Sequence, residues 1–413
     1  MTEDRAYSRK LVIFLSVATF FEGYDMFALA QILPNLRRSF HLDEEQGGLL
    51  LSVVSIGTVL AGLLVRLADK IGRKRVLSIT IAGYTISSLL TAFAPNVYAF
   101  AAAQLIARIF LIGEWAVAMV IAAEEFPASK RGTLIGVIQA FATFGGIACA
   151  AVVPILLKTP MGWRAVYLAG AVPLVLVAVM RRGLRETRRF SEQVAGKQET
   201  DSAGATLRRL LAHLRGPYRA RLIQIGLIWS FAYICTQAAT MFWKDFAVNE
   251  RGFTDAEVGR SLTIAAVVAM PIVFYSGRFL DRVGRRVRGV VVFLSGAVGV
   301  VLAYVLHAQA GLTVGLVLAI AGTNAVLPFL NSYTTELFPT AMRADAFALA
   351  NNAIGRIGYI LSPTLVGIVA ARSSWAIAVS STSVFLLVAL GISLAVLPET
   401  RGKELEETSK LGS

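Results

Sequence analysis

Two cysteines in 413 residues, Cys149 and Cys235, leave no disulfide framework to read, and both fall inside apolar runs. Neither thiol chemistry nor a metal site is expected of them. Histidine is equally scarce: His41, His213 and His307 are scattered, so no Ser-His-Asp or metal-ligand set can be drawn. No Walker-type glycine loop occurs, which removes ATP as the energy source. No cofactor is expected, and the chain is not read as an enzyme. Charge is thin as well, at 16% of residues, where a soluble globular domain holds about a quarter. What remains is 56% hydrophobic, in runs near the roughly 20 residues that cross a bilayer core.

Those runs predict an all-α membrane protein of twelve spans, near 11–33, 48–67, 76–94, 98–123, 133–157, 164–180, 222–246, 258–280, 288–307, 312–335, 346–370 and 375–397. The net charge of +14 taken alone points to nucleic acid, but its distribution excludes that partner. With the N-terminus in the cytoplasm, the external loops hold only Arg37, Arg38, Lys158, Arg164, Lys244, Arg251, Arg260 and Arg372. Arg108 and Arg356 lie inside spans, and the rest of the forty Lys and Arg are cytoplasmic. That bias is the positive-inside rule, and it puts both termini in the cytoplasm. The first apolar run is followed by no small-residue cleavage site, so it reads as a retained helix. Residues 1–180 form an N-terminal six-helix bundle, 181–221 a basic cytoplasmic linker suited to lipid headgroups, and 222–413 a C-terminal six-helix bundle with a short tail.

Internal repetition supports the division. Leu67-Ala68-Asp69-Lys70-Ile71-Gly72-Arg73-Lys74-Arg75 recurs as Gly277-Arg278-Phe279-Leu280-Asp281-Arg282-Val283-Gly284-Arg285-Arg286, with Asp69 and Asp281 212 positions apart, as are Gly72 and Gly284. Glu124-Glu125-Phe126-Pro127 with Arg131 recurs at the same offset as Glu336-Leu337-Phe338-Pro339 with Arg343. Glu186-Thr187-Arg188 matches Glu399-Thr400-Arg401 at an offset of 213. A basic, glycine-containing turn cannot cross hydrocarbon, so each copy is an interfacial hinge between two helices. Asp69, Gly72, Arg73, Glu124 and Arg131, and in the second half Asp281, Gly284, Arg285, Glu336 and Arg343, read as a cytoplasmic latch. Such partly desolvated charge clusters can form in one state and break in another.

These features resemble the major facilitator superfamily over all twelve spans. The signature G-x-L-A-D-R-x-G-R-K is met at Leu67, Ala68, Asp69, Gly72, Arg73 and Lys74, with Lys70 at the Arg position and Val65 in place of the leading Gly. The resemblance implies two pseudo-symmetric six-helix bundles around a central cavity, working by alternating access.

Charges stranded inside spans carry the chemistry. Glu22 and Asp25, three residues apart, project about 60° apart on one face of span 1. An ionised carboxylate at that depth costs at least roughly 2.5–3.5 kcal/mol, so such residues face a cavity and act there. A carboxyl that takes and gives a proton as water reaches it from alternate sides is what proton coupling needs. Glu22-Gly23-Tyr24-Asp25 is similar to the D-G-x-D signature of aromatic-acid/proton symporters, with Glu in the first place. In span 4, Gly113-Glu114-Trp115 resembles an element of monocarboxylate and sialate proton symporters and adds Glu114 to the proton-coupling set. Gln104 occupies the place of the family's usual Arg, and Arg108 lies one turn on.

Arg108 has no partner on its own helix and needs one from another, from Glu22, Asp25 or a substrate carboxylate. Arginine binds carboxylates bidentately, so Arg108 is either a substrate anchor or half of an internal pair. Gly355-Arg356-Ile357-Gly358 resembles the G-R-x-G of acid symporters, which implies that Arg356 binds an anion. Tyr24, Gln237, Asn324, Asn331 and Asn352 would supply hydroxyls and amides to the substrate. Trp243, near a helix end, reads as an interface anchor, and Trp163-Arg164 as structural.

The expected function is proton-coupled symport of a small organic anion, a mono- or aromatic carboxylate, by a monomer in the plasma membrane, the inner membrane of a bacterium. Its partners are substrate, protons and the bilayer. The alternatives are a proton-coupled antiporter that exports cations, a sugar porter, suggested by Pro398-Glu399-Thr400-Arg401-Gly402, and a nutrient sensor.

Overall fold

The computed structural model describes residues 2–126, 128–180, 186, 208, 210, 212–280 and 284–399. Asp281, Pro127, Thr187, Arg188, Thr400, Arg401 and most of the linker lie outside the described residues. Those described are helical with short turns, and no strand occurs among them.

In chain order the helices are α1 (Thr2–Phe40), α2 (Glu44–Leu60), α3 (Gly62–Ile71), α4 (Arg73–Ala92), α5 (Val97–Glu125), α6 (Ala128–Leu156), α7 (Trp163–Met180), α8 (Arg219–Met241), α9 (Trp243–Asn249), α10 (Asp255–Leu280), α11 (Arg285–Val305) and α12 (Gln309–Glu336). A 3-10 turn (Thr340–Met342), α13 (Arg343–Phe347), a π-helix (Ala348–Gly355), α14 (Arg356–Arg372), α15 (Trp375–Ser381) and α16 (Ser383–Val396) follow. Eleven helical stretches among the described residues are long and apolar enough to cross a membrane. The remaining expected span, 164–180, falls on α7, 18 residues long. Large apolar side chains stand exposed along the helices, among them Ile86, Leu90, Ile155, Val314 and Val384. Such a surface is stable against lipid tails and not against water.

Polar residues punctuate the chain where helices begin. Asp43 Oδ1 accepts from Gln46 N at 2.7 Å while Gln46 Oε1 accepts from Asp43 N at 3.2 Å, a reciprocal box that starts α2. Thr254 and Glu257 do the same for α10, and Asn96 Oδ1 accepts from Ala99 N to start α5.

The chain forms two compact units, Met1–His41 with Val53–Thr200, and Leu42–Ser52 with Asp201–Ser413. In the first, α1 crosses α6 at backbone distance: a Cβ on Gly23 would sit 1.9 Å from Ala142 O, and one on Gly145 would sit 1.8 Å from Phe20 O. That approach, open only to glycine, fixes the depth and rotation of the α1 segment that bears Glu22 and Asp25. In the second unit α11 and α12 are packed through Gly299 and Gly322 in the same way.

Trp243 corrects an expectation. It is fully buried and donates from Nε1 to Ala303 O at 3.1 Å, so it anchors α9 to α11 inside the unit and not to the membrane surface. A helix end that is itself packed gives an aromatic no interface to reach. Trp163 is structural as expected: it packs on Phe40, Phe100 and Tyr167, with the Arg164 guanidinium 4.3 Å above its ring.

Candidate functional site

The first unit gathers its stranded charges around Asp25. Asp25 is 4% exposed, and its Oδ1 has no hydrogen-bond partner. A Cβ placed on Gly170 of α7 would stand 4.0 Å from that oxygen, so α7 closes the site on that side. The Tyr84 hydroxyl, from α4, faces the Asp25 carboxyl but completes no well-formed hydrogen bond, and the Tyr167 hydroxyl, from α7, also lacks a partner. Tyr24 points elsewhere, donating to Val166 O at 3.4 Å.

Arg108 and Glu114, six residues apart on α5, are both buried. Arg108 finds its interhelical partner in α1, where its guanidinium contacts the Met26 sulfur. It also interacts electrostatically with Glu22 and Asp25, without a salt bridge among the described residues. Glu22 is half-buried and lies within electrostatic range of Glu114. Tyr84 packs with Ala107 and Leu111, and Phe21, Met26 and Phe110 complete an apolar wall. Gln104, at the place of the family's Arg, donates to Thr91 Oγ1 at 3.1 Å, which leaves it structural.

An ionised carboxylate with a buried oxygen left unmet is costly. Asp25 is therefore stable here either with a proton, or with water and a donor at Oδ1. Tyr84 and Tyr167 escaped sequence reading because tyrosine is common in apolar spans, and nothing in one sequence marks which hydroxyl meets a carboxylate.

In the second unit Arg356 begins α14 directly after the π-helix. Its guanidinium carbon lies 5.3 Å from the Tyr233 ring centroid and 4.9 Å from that of Tyr359. The Tyr233 hydroxyl donates to Asn351 Oδ1 at 2.8 Å, and Trp229 Nε1 donates to Thr334 Oγ1 at 3.0 Å. Asn352, one turn before Arg356, is exposed, and Gln237 on α8 is half-buried. Asn324, Pro328, Asn331 and Thr335 form an exposed polar stripe on α12. Amides on a transmembrane helix face water or protein and not lipid. Lys244 and Asp245, at the end of span 7, are buried in structure: Lys244 pairs with Asp255 at 2.6 Å, and Asp245 accepts from Asn249. Among the described residues no group of His, Cys, Asp and Glu is placed to hold a metal.

The two hinges are built alike. Gly72 and Gly284 have φ of 104° and 93°, a backbone that other residues rarely adopt. Arg73 reaches Glu124 at 3.2 Å and Asp69 at 3.2 Å. Arg285 reaches Glu336 at 2.7 Å and 3.4 Å, a two-pronged pair. Glu186 accepts from the backbone N of Arg73 at 2.9 Å and of Lys74 at 3.2 Å. Glu399 does the same for Arg285 and Arg286, at 2.8 and 3.0 Å. Each carboxylate thus caps the helix that follows its glycine. The repeat of these glutamates was visible in the sequence; the capping role was not. Arg131 donates to Phe126 O at 3.3 Å in place of a carboxylate, and Arg343 Nε has no acceptor among the described residues.

Residues 15–363 match the family model described as Major Facilitator Superfamily. The chain is 28% identical to the "Putative niacin/nicotinamide transporter NiaP" of Bacillus subtilis, over 96% of this chain and 98% of that one. It is 24% identical to the "Cis,cis-muconate transport protein" of Acinetobacter baylyi, over 88% of this chain and 87% of that one. Among solved structures, that of the nucleoside transporter NupG superposes with a TM-score of 0.78 at 17% identity, over 94% of this chain and all of the other.

Proposed function

The chain belongs to the major facilitator superfamily, and from that premise we propose that it is a proton-coupled symporter of small organic anions, above all mono- and aromatic carboxylates. It is a multi-pass membrane transporter and not an enzyme. The reading places it as a monomer in the plasma membrane of a bacterium, with both termini cytoplasmic, and has it work by alternating access.

The observation that carries the proposal is Asp25: a carboxyl buried in a membrane helix, with an unfilled oxygen position beside the Tyr84 hydroxyl and within electrostatic range of Arg108. Asp25 takes the coupled proton, and Glu22 and Glu114 share the local charge. Taking up that proton removes one negative charge from the first unit, which favours entry of an anion together with the proton. Arg356 supplies positive charge for the substrate carboxylate, supported by amides of the Gln237, Asn324, Asn331 and Asn352 type. The hinge clusters around Arg73–Glu124 and Arg285–Glu336 act as a cytoplasmic latch for the outward-open state, formed there and broken as the states exchange. Niacin and muconate, named for two relatives, are carboxylates with planar conjugated carbon frames, and nicotinamide, named beside niacin, has the same ring with an uncharged amide; the two acids support the substrate class. Export of a cation, the main alternative, is disfavoured by a half-exposed arginine inside a span that pairs with no carboxylate among the described residues.

The test is uptake of labelled nicotinate and benzoate into liposomes that hold the purified protein. An acid-outside gradient should drive accumulation of at least one of them above its external concentration. A panel of carboxylates with no gradient-driven uptake would end the proposal.

A further inference from the structure

Arg108 and Arg356 are the two arginines well inside spans, and their surroundings differ. Arg108 is buried against Met26 with Glu22 and Asp25 in electrostatic range, so its charge is already answered from within. Arg356 is half-exposed, and among the described residues no carboxylate pairs with it. It is held by aromatic faces instead. The Tyr233 and Tyr359 rings meet at 87° with centroids 5.5 Å apart and form a corner, and the guanidinium lies within 5.3 Å of both.

The corner is rigid before any ligand arrives. Tyr233 is tied by its hydroxyl to Asn351 and packs on Trp229 at 5.4 Å, and Gly355 brings the backbone against Trp229, where a Cβ would lie 2.8 Å from that residue's own Cβ. Two rings at 87° cannot both lie flat on one guanidinium, and contact with aromatic faces occupies none of its N–H donors with an oxygen acceptor.

We infer that Arg356 in the Tyr233–Tyr359 corner is the anion receptor, and that the two tyrosines select carboxylates whose carbon frame is planar. The inference rests on the organic-anion reading above and adds the residues that set specificity. A carboxylate binds the guanidinium edge bidentately and coplanar with it. In a conjugated acid the ring or chain continues that plane and lies along one tyrosine face, while the other ring, at 87° to the first, meets its edge. In a saturated acid the tetrahedral α-carbon turns the rest of the molecule out of the plane and into a ring wall. Tyr233 and Tyr359 are positioning residues for Arg356 and contact surfaces for the substrate.

Benzoate and cyclohexanecarboxylate have the same charge and similar size, and differ in planarity. Each is titrated against the wild type in liposomes, as a competitor of labelled substrate and by direct calorimetric binding. Benzoate should bind about 10-fold more tightly, the factor expected from one or two offset aromatic contacts. Tyr359→Leu should bring that ratio near one, through a higher KM for benzoate at unchanged kcat, and Tyr359→Phe should restore it, because the ring is kept. Equal binding of the two acids by the wild type overturns the inference without any variant. So does a Tyr359→Leu protein that weakens both acids alike. Binding of neither acid would remove the organic-anion reading together with this one, whereas equal binding removes this one alone.

Discussion

A single atom, Asp25 Oδ1, concentrates the argument at the residue scale. It is buried, has no donor, and sits where a membrane protein can least accommodate an unmet charge. Asparagine at this position keeps the volume and removes the exchangeable proton, so Asp25→Asn should fold normally. Tyr84→Phe should also fold but slow proton-driven uptake by about 10-fold while leaving exchange of labelled for unlabelled substrate close to wild type, because the hydroxyl facing Asp25 is placed to donate once that carboxyl ionises. Equal loss of both activities would make Tyr84 structural only. Asp25 and Glu22 were legible because two carboxylates in an apolar run are conspicuous. The partners of Asp25 were not, since hydroxyl and carboxyl meet only once α1, α4 and α7 are packed. Trp243 shows the reverse error: its position at a helix end suggested the membrane surface, and only the contact with Ala303 O places it inside. Trp243→Ala should therefore cost about 3–5 kcal/mol, the usual penalty for emptying a buried tryptophan site, read as a fall in Tm in detergent.

Among the elements, the paired hinges were the part best written in the chain, because a charged glycine turn between apolar runs has one place to go. The offset of 212 also told which acidic and basic residues correspond. What the offset did not tell is that Glu186 and Glu399 reach back to the first turns of α4 and α11. Glu186→Ala and Glu399→Ala should each lower stability by about 1–2 kcal/mol, as lost helix caps do, and by similar amounts because the two contacts are the same contact repeated. A large effect at one site and none at the other would contradict that equivalence. The π-helix Ala348–Gly355 was illegible. Its apolar pattern reads as an ordinary span, and the wide turn is set by packing of Gly355 against Trp229 and Tyr233. That turn places Arg356 at the aromatic corner, so the site in the second unit depended on the least predictable element.

For the whole molecule, composition alone decided the class. Too few charges for a soluble domain and twelve apolar runs leave a polytopic helical protein. The inside bias of Lys and Arg further predicts that a cysteine placed in the linker or near either terminus is shielded from an impermeant thiol reagent added outside intact cells, whereas one placed near Arg251 is labelled. The opposite pattern would invert the assigned topology. Whether Asp25 carries the coupled proton is decided by comparing two modes of transport by Asp25→Asn protein in liposomes. Accumulation driven by an acid-outside gradient should vanish, while counterflow of labelled against unlabelled carboxylate, which needs no net proton movement, should persist. Gradient-driven accumulation by Asp25→Asn at the wild-type level would contradict the account.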